Sequence, residues 1–205
     1  MNNVETLKRG DVQYTSAGTG IAHSEYNNNP STEVHFLQIW YLLPISNHAN
    51  VKRAKPGVNG LKPNYYTRHH PTESKRDTLV PIIAPIETFP ANSVFEKEGK
   101  AEPIPIHQDM RFYATILSPG KAVEYTFQGN GERMGYVHLA QMSGYNPGKE
   151  TSGAKVRVGT GVEIREGDGV FVKGGKSGDV VEFKNVGDVD AEFVWFDMGS
   201  EYKSS

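Results

Sequence analysis

Residues 118–131 read S-P-G-K-A-V-E-Y-T-F-Q-G-N-G, and this stretch decides the fold class. Val123, Tyr125 and Phe127 are apolar, and Glu124, Thr126 and Gln128 between them are polar. Successive side chains of a strand point to opposite faces, so this alternation is one strand with a buried face and a wet face. Turn residues bound it on both sides, Ser118-Pro119-Gly120 before and Gly129-Asn130-Gly131 after. The pattern recurs outward along the chain. Ala154, Val156 and Val158 alternate with Lys155 and Arg157, and Phe193 and Trp195 repeat the period near the C-terminal end. Further turn signals stand at Asn146-Pro147-Gly148, Glu166-Gly167-Asp168-Gly169 and Gly174-Gly175. Helical periodicity is nearly absent. Many short strands with such turns predict an all-β sandwich or barrel of the jelly-roll kind.

The chain divides into three parts. Residues 105–200 hold enough strands for one complete sandwich, with Val123, Tyr125, Phe127, Val181, Phe183 and Phe193 expected to face inward. Residues 1–44 hold two or three strands, at Val12–Ser16, Gly20–Tyr26 and Val34–Leu43, too few for an independent barrel. Residues 45–104 are rich in Pro, Asn and Lys, and read as an extended connection that adds a strand at Leu79–Ile83. In Val34–Leu43, Leu37, Ile39 and Tyr41 share one face and Phe36, Trp40 and Leu42 the other. A strand apolar on both faces expects cover on both sides.

Composition excludes several functions. Apolar residues make up 37% of the 205, sufficient for a packed core. The formal charge of -2 gives no electrostatic case for nucleic acid or an anionic membrane. With no cysteine, disulfides, thiolate metal sites and cysteine nucleophiles are impossible. No stretch approaches the roughly 18 apolar residues of a membrane helix, and residues 1–11 lack the apolar region of a signal peptide. An intracellular protein, cytoplasmic or nuclear, is the expectation.

The chemistry concentrates in residues 10–40. His23 and Glu25 are two apart, so on a strand imidazole and carboxylate converge on one face. Such a donor pair suits Fe, Mn, Ni or Zn. Taken alone the pair is weak, because a solvated surface pair is the commoner explanation. The other histidines have plainer readings. His35 shares a face with Leu37 and Ile39, His138 lies between Tyr136 and Ala140, and His107 stands at a domain junction. His69 and His70 are adjacent, in a Pro-flanked loop.

Gly18-Thr19-Gly20-Ile21-Ala22-His23-Ser24-Glu25-Tyr26-Asn27 resembles the second metal motif of pirin-family bicupins. Leu37-Gln38-Ile39-Trp40 resembles the strand that follows it there. His107-Gln108-Asp109-Met110 resembles the opening of the C-terminal cupin of pirin-like quercetin 2,3-dioxygenases, and Lys52–Pro63 looks like an insertion. The resemblance implies two cupin sandwiches side by side, the N-terminal one incomplete in this chain. It implies one metal, iron or another divalent first-row ion, with His23 as a His ligand and Glu25 as the carboxylate ligand. It also implies Glu25 as proton acceptor from the 3-hydroxyl of a flavonol such as quercetin. The family's other two His ligands come from an H-x-H motif upstream, and no H-x-H exists in this sequence. The chain by itself is therefore expected to bind iron weakly or not at all and to be inactive. The alternative implied by the resemblance is a non-enzymatic, iron-dependent regulator that acts on a protein partner such as a transcription factor. The incomplete N-terminal part is expected to drive self-association.

Overall fold

The computed structural model describes residues 4–18, 20–40, 63–96, 102–142 and 153–199. Twelve strands are present among them: β1 Asp11–Ser16, β2 Asn64–His69, β3 Val80–Pro85, β4 Ile104–Ile106, β5 Met110–Leu117, β6 Ala122–Thr126, β7 Glu132–Leu139, β8 Lys155–Val158, β9 Val162–Arg165, β10 Gly169–Lys176, β11 Val180–Asn185 and β12 Ala191–Gly199. The helical content described is two single 3-10 turns, Glu73–Lys75 and Ile86–Thr88.

Two sheets face each other. The larger has six strands in the order β10-β7-β12-β5-β3-β4, and the smaller has four in the order β6-β11-β8-β9. Alternation sorts each strand between layers. On β12, Ala191, Phe193, Trp195 and Asp197 are buried toward the smaller sheet, and Val194, Phe196 and Met198 serve the opposite face. The inner layer joins Val137, Leu139, Phe193 and Trp195 to Tyr125, Val156, Val181 and Phe183. Each such side chain contributes about 1.5–3 kcal/mol on burial. Of the six residues expected inward, five are buried and Val123 packs, half-buried, against the same cluster.

The outer face of the six-stranded sheet carries a second core of Ile82, Ile83, Ile104, Ile106, Met110, Phe112 and Phe196. Over it lies a two-stranded antiparallel ribbon in which β1 pairs with β2, Asp11 opposite His69 through Ser16 opposite Asn64. Val12, Tyr14 and Tyr66 of the ribbon pack on this core. The strand expected at Leu79–Ile83 is β3. It runs antiparallel to β5 and parallel to β4, so the connecting region extends the larger sheet.

Three local expectations differ. Residues 20–40 carry no strand, and every one of them is exposed, so the strands read at Gly20–Tyr26 and in residues 34–40 are corrected. A strand needs a neighbour to satisfy its N–H and C=O groups, and no described strand is paired with this segment. Residues 41–43 of the second run, and residues 52–62 of the insertion read from the sequence, lie outside the described residues. The loop read around His69 and His70 is instead the end of β2 at His69, with His70 directly after it.

Candidate functional site

β1 ends at Ser16, and the chain passes Gly18 (φ 52°) and Gly20 (φ 122°) before reaching His23. Positive φ is the region that favours glycine, so these two residues turn the chain out of the ribbon. His23 and Glu25 then stand on an extended, exposed segment. The expectation that they project from one strand into a sandwich interior is not met, for want of a paired strand beneath them. Among the described residues no group of three or more His, Asp or Glu side chains is placed to hold a metal ion. His23 and Glu25 thus supply two donors, and a stable transition-metal centre ordinarily takes three or four protein ligands. The described residues do not fit a complete site.

Among the described residues the two-sheet sandwich offers no alternative centre, because the interior they form is filled. The Trp195 ring lies with its centroid 4.9 Å from Phe183, 5.6 Å from Phe127 and 5.6 Å from Tyr125, all in edge contact. A Cβ on Gly135 would overlap the far edge of the Trp195 ring, so the indole occupies the space a side chain at 135 would need.

Beside this aromatic layer lies a buried polar cluster that the sequence reading passed over. Asp197 is fully buried and accepts hydrogen bonds from Tyr125 Oη (2.7 Å), the Gln128 N–H (2.9 Å) and Arg133 Nε (2.8 Å). Arg133, also fully buried, reaches Asp109 through Nη1, and Arg111 meets the same carboxylate at 3.2 Å. Burial and then the bond to Asp197 push the Tyr125 hydroxyl far above its ordinary range, so it stays neutral. The signal was available. Arg133 is in step with Gly135, Val137 and Leu139, and Asp197 with Phe193 and Trp195, so both belong to inward registers.

The remaining histidines separate. His107 and His35 are exposed. His138 faces the outer layer, where burial and then the charge of His35 lower its pKa. His69 is exposed beside Asp11, and His70 is buried. A cleft of about 310 Å³ is lined by Phe89, Pro90, Val94, Phe95 and Pro103 with Glu102 and Ser93. A second, of about 220 Å³, lies between β9 and β10 and is lined by valines with Phe171. Neither contains a cluster of titratable groups.

Comparison with known proteins bears on two parts of the chain. The family profile described as pirin matches residues 1–41, which include His23 and Glu25. The profile described as the quercetinase C-terminal cupin domain matches residues 94–198, half of the chain. A putative quercetin 2,3-dioxygenase of Zymomonas mobilis is 29% identical over 141 residues, covering 69% of this chain and 48% of that protein. A quercetin 2,3-dioxygenase of Escherichia coli O157:H7 is 25% identical over 184 residues, covering 89% and 64%. A bacterial pirin of Escherichia coli, solved in complex with nickel(II), aligns at a TM-score of 0.45 and 16% identity, over 68% of this chain and 45% of that one. The chain spans about half the length of the curated relatives it matches. The two profile matches, together with the all-β architecture, place the chain in the pirin family, with the fold of a cupin.

Proposed function

We propose that the chain is a pirin-type cupin of the quercetin 2,3-dioxygenase class, in which His23 and Glu25 are two ligands of a divalent first-row metal centre, iron by resemblance. Residues 1–44 belong in this reading to the metal-binding cupin, 105–200 to the second cupin, and 45–104 to the connection. The observation that carries it is the pirin match over residues 1–41, which contains the H-x-E pair of the motif. The names borne by relatives at 25–29% identity support a flavonol as substrate. The packed interior of the C-terminal sandwich supports it indirectly, since chemistry then falls to the other half.

No catalytic step is assigned to the metal, because two donors on an exposed segment do not hold one. The consequence is that the 205-residue chain alone retains little iron and does not turn over quercetin. The test is metal analysis after loading with ferrous iron and dialysis against a mild chelator. A version extended upstream with a family-type H-x-H segment is measured beside it, and oxygen uptake with quercetin is followed for both. The extended version is expected to hold close to one iron per monomer and to consume oxygen. Retention of close to one iron by the short chain would overturn the ligand count. An iron-loaded extended chain inert toward quercetin would overturn the substrate.

A further inference from the structure

His70 follows β2 directly and is 1% exposed. Among the described residues neither of its ring nitrogens has a hydrogen-bond partner. Buried polar side chains are bonded in the large majority of cases, so an imidazole with both nitrogens bare calls for an explanation. Its neighbour His69 points the other way, half-exposed, with Nδ1 2.5 Å from Asp11 Oδ1.

The surroundings of the His70 ring are cationic. Lys75, from the 3-10 turn, and Arg68, from β2, are both buried, and their charges and that of His69 act on the ring. Acidic groups on this side are already engaged. Glu192 of β12 lies 3.6 Å from Lys75 and 2.5 Å from Arg9, and Asp11 faces His69. Glu5 accepts from the Tyr65 and Thr67 hydroxyls of the ribbon. None of these carboxylates bonds to His70.

The backbone at this point closes the ribbon. The His70 N–H donates to Gly10 C=O at 2.8 Å, one step beyond the Asp11–His69 pair. A Cβ on Gly10, whose φ is 88°, would overlap the His70 carbonyl oxygen, so the two strands meet here at close quarters.

We propose that His70 is an acid-sensitive latch, whose protonation releases the β1–β2 ribbon from the six-stranded sheet while the two-sheet sandwich stays folded. The ribbon is the element that leads into the segment carrying His23 and Glu25, so release unties that segment at its N-terminal end.

The sign follows from the environment. Burial, then the charges of Lys75, His69 and Arg68, lower the His70 pKa to about 4. Once released, the ring titrates near its ordinary value of about 6.5. Between those values the released form binds a proton that the latched form refuses. The release equilibrium therefore grows about tenfold per pH unit as pH falls from about 6.5 to 4, and is flat above and below.

The test is amide hydrogen exchange of the full chain from pH 7 to pH 4, corrected for the intrinsic exchange rate. The expected result is an opening constant for residues 11–16 that rises about tenfold per pH unit in the wild type. In His70→Leu, which keeps Glu5, Asp11, His69 and Glu192, that rise is absent. Amides of β5, β7 and β12 keep their protection in both. An opening constant independent of pH in the wild type, or the same slope in His70→Leu, overturns the proposal. Should the variant fail to fold, the His70 ring proton resonance in the wild type decides. A titration midpoint well below 6 is expected, and a midpoint near 6.5 overturns the latch.

Discussion

Arg133 Nε lies 2.8 Å from Asp197 Oδ1, and both side chains are fully buried between β7 and β12, the strands that carry them side by side. The carboxylate also serves Tyr125 and the Gln128 N–H, so one residue ties β12 to the segment that follows β6.

Removing one partner of a buried ion pair costs about 3–5 kcal/mol; losing Asp197 leaves Arg133 with Asp109 alone and strips Tyr125 and the Gln128 N–H of their acceptor. Asp197→Ala is therefore expected to lower unfolding free energy by roughly that amount. Replacing both residues by apolar ones, as in Arg133→Met with Asp197→Leu, is expected to cost much less. Urea unfolding of the three proteins, read as a change in midpoint at constant slope, makes the comparison. Equal losses in the single and double variants would show that the bonds lost to Tyr125 and Gln128, common to both, outweigh the stranded charge.

Gly135 is needed for want of space rather than for backbone freedom. A methyl group there meets the Trp195 ring, and overpacking of a closed interior costs typically about 1–3 kcal/mol. Gly135→Ala is expected to destabilise by at least the upper part of that range and to shift Trp195 fluorescence to longer wavelength as water reaches the ring. An unchanged melting temperature would mean that the aromatic layer yields more readily than its edge contacts imply.

The segment from Val34 to Trp40 leaves large apolar side chains in water: Val34 is 58% exposed, Phe36 57% and Trp40 81%. Contiguous apolar surface of this kind drives association. The chain is expected to run as an oligomer or aggregate in light scattering, and Phe36→Ser with Trp40→Ser to shift it toward the monomer. A monodisperse wild-type monomer with a cooperative melt would contradict this.

Much of the sandwich was legible because period-two alternation survives wherever one face is buried. Tyr125, Phe127, Phe183 and Phe193 announce their faces in the bare sequence. Arg133 and Asp197 obey the same period, yet a reading that equates inward with apolar skips them. β2 was missed for a different reason: Tyr65, Tyr66 and Thr67 suit a strand, but Pro63 and Pro71 on either side read as a loop. The opposite error befell residues 20–40. Their apolar run from Val34 to Trp40 suits a strand covered on both faces, and local pattern alone does not state whether a neighbouring strand is there to bond with it. The H-x-E pair was legible as a motif, but its convergence on one face depended on that missing neighbour.

The position of β12 has a consequence for biosynthesis. It is the latest described strand in the chain, yet it lies in the middle of the six-stranded sheet, hydrogen-bonded to β7 on one side and β5 on the other. While the ribosome is still adding residues before 191, β5 and β7 have been made but have nothing between them. They present two open edges of the kind that recruit foreign strands. The sheet can close only after translation has passed residue 199. A premature stop anywhere before residue 191 would therefore remove the strip that joins the two halves of the sheet, rather than trim its margin. The nascent protein is exposed to misassembly until β12 has left the ribosome, and a chaperone that shields β5 and β7 during that interval would raise its yield.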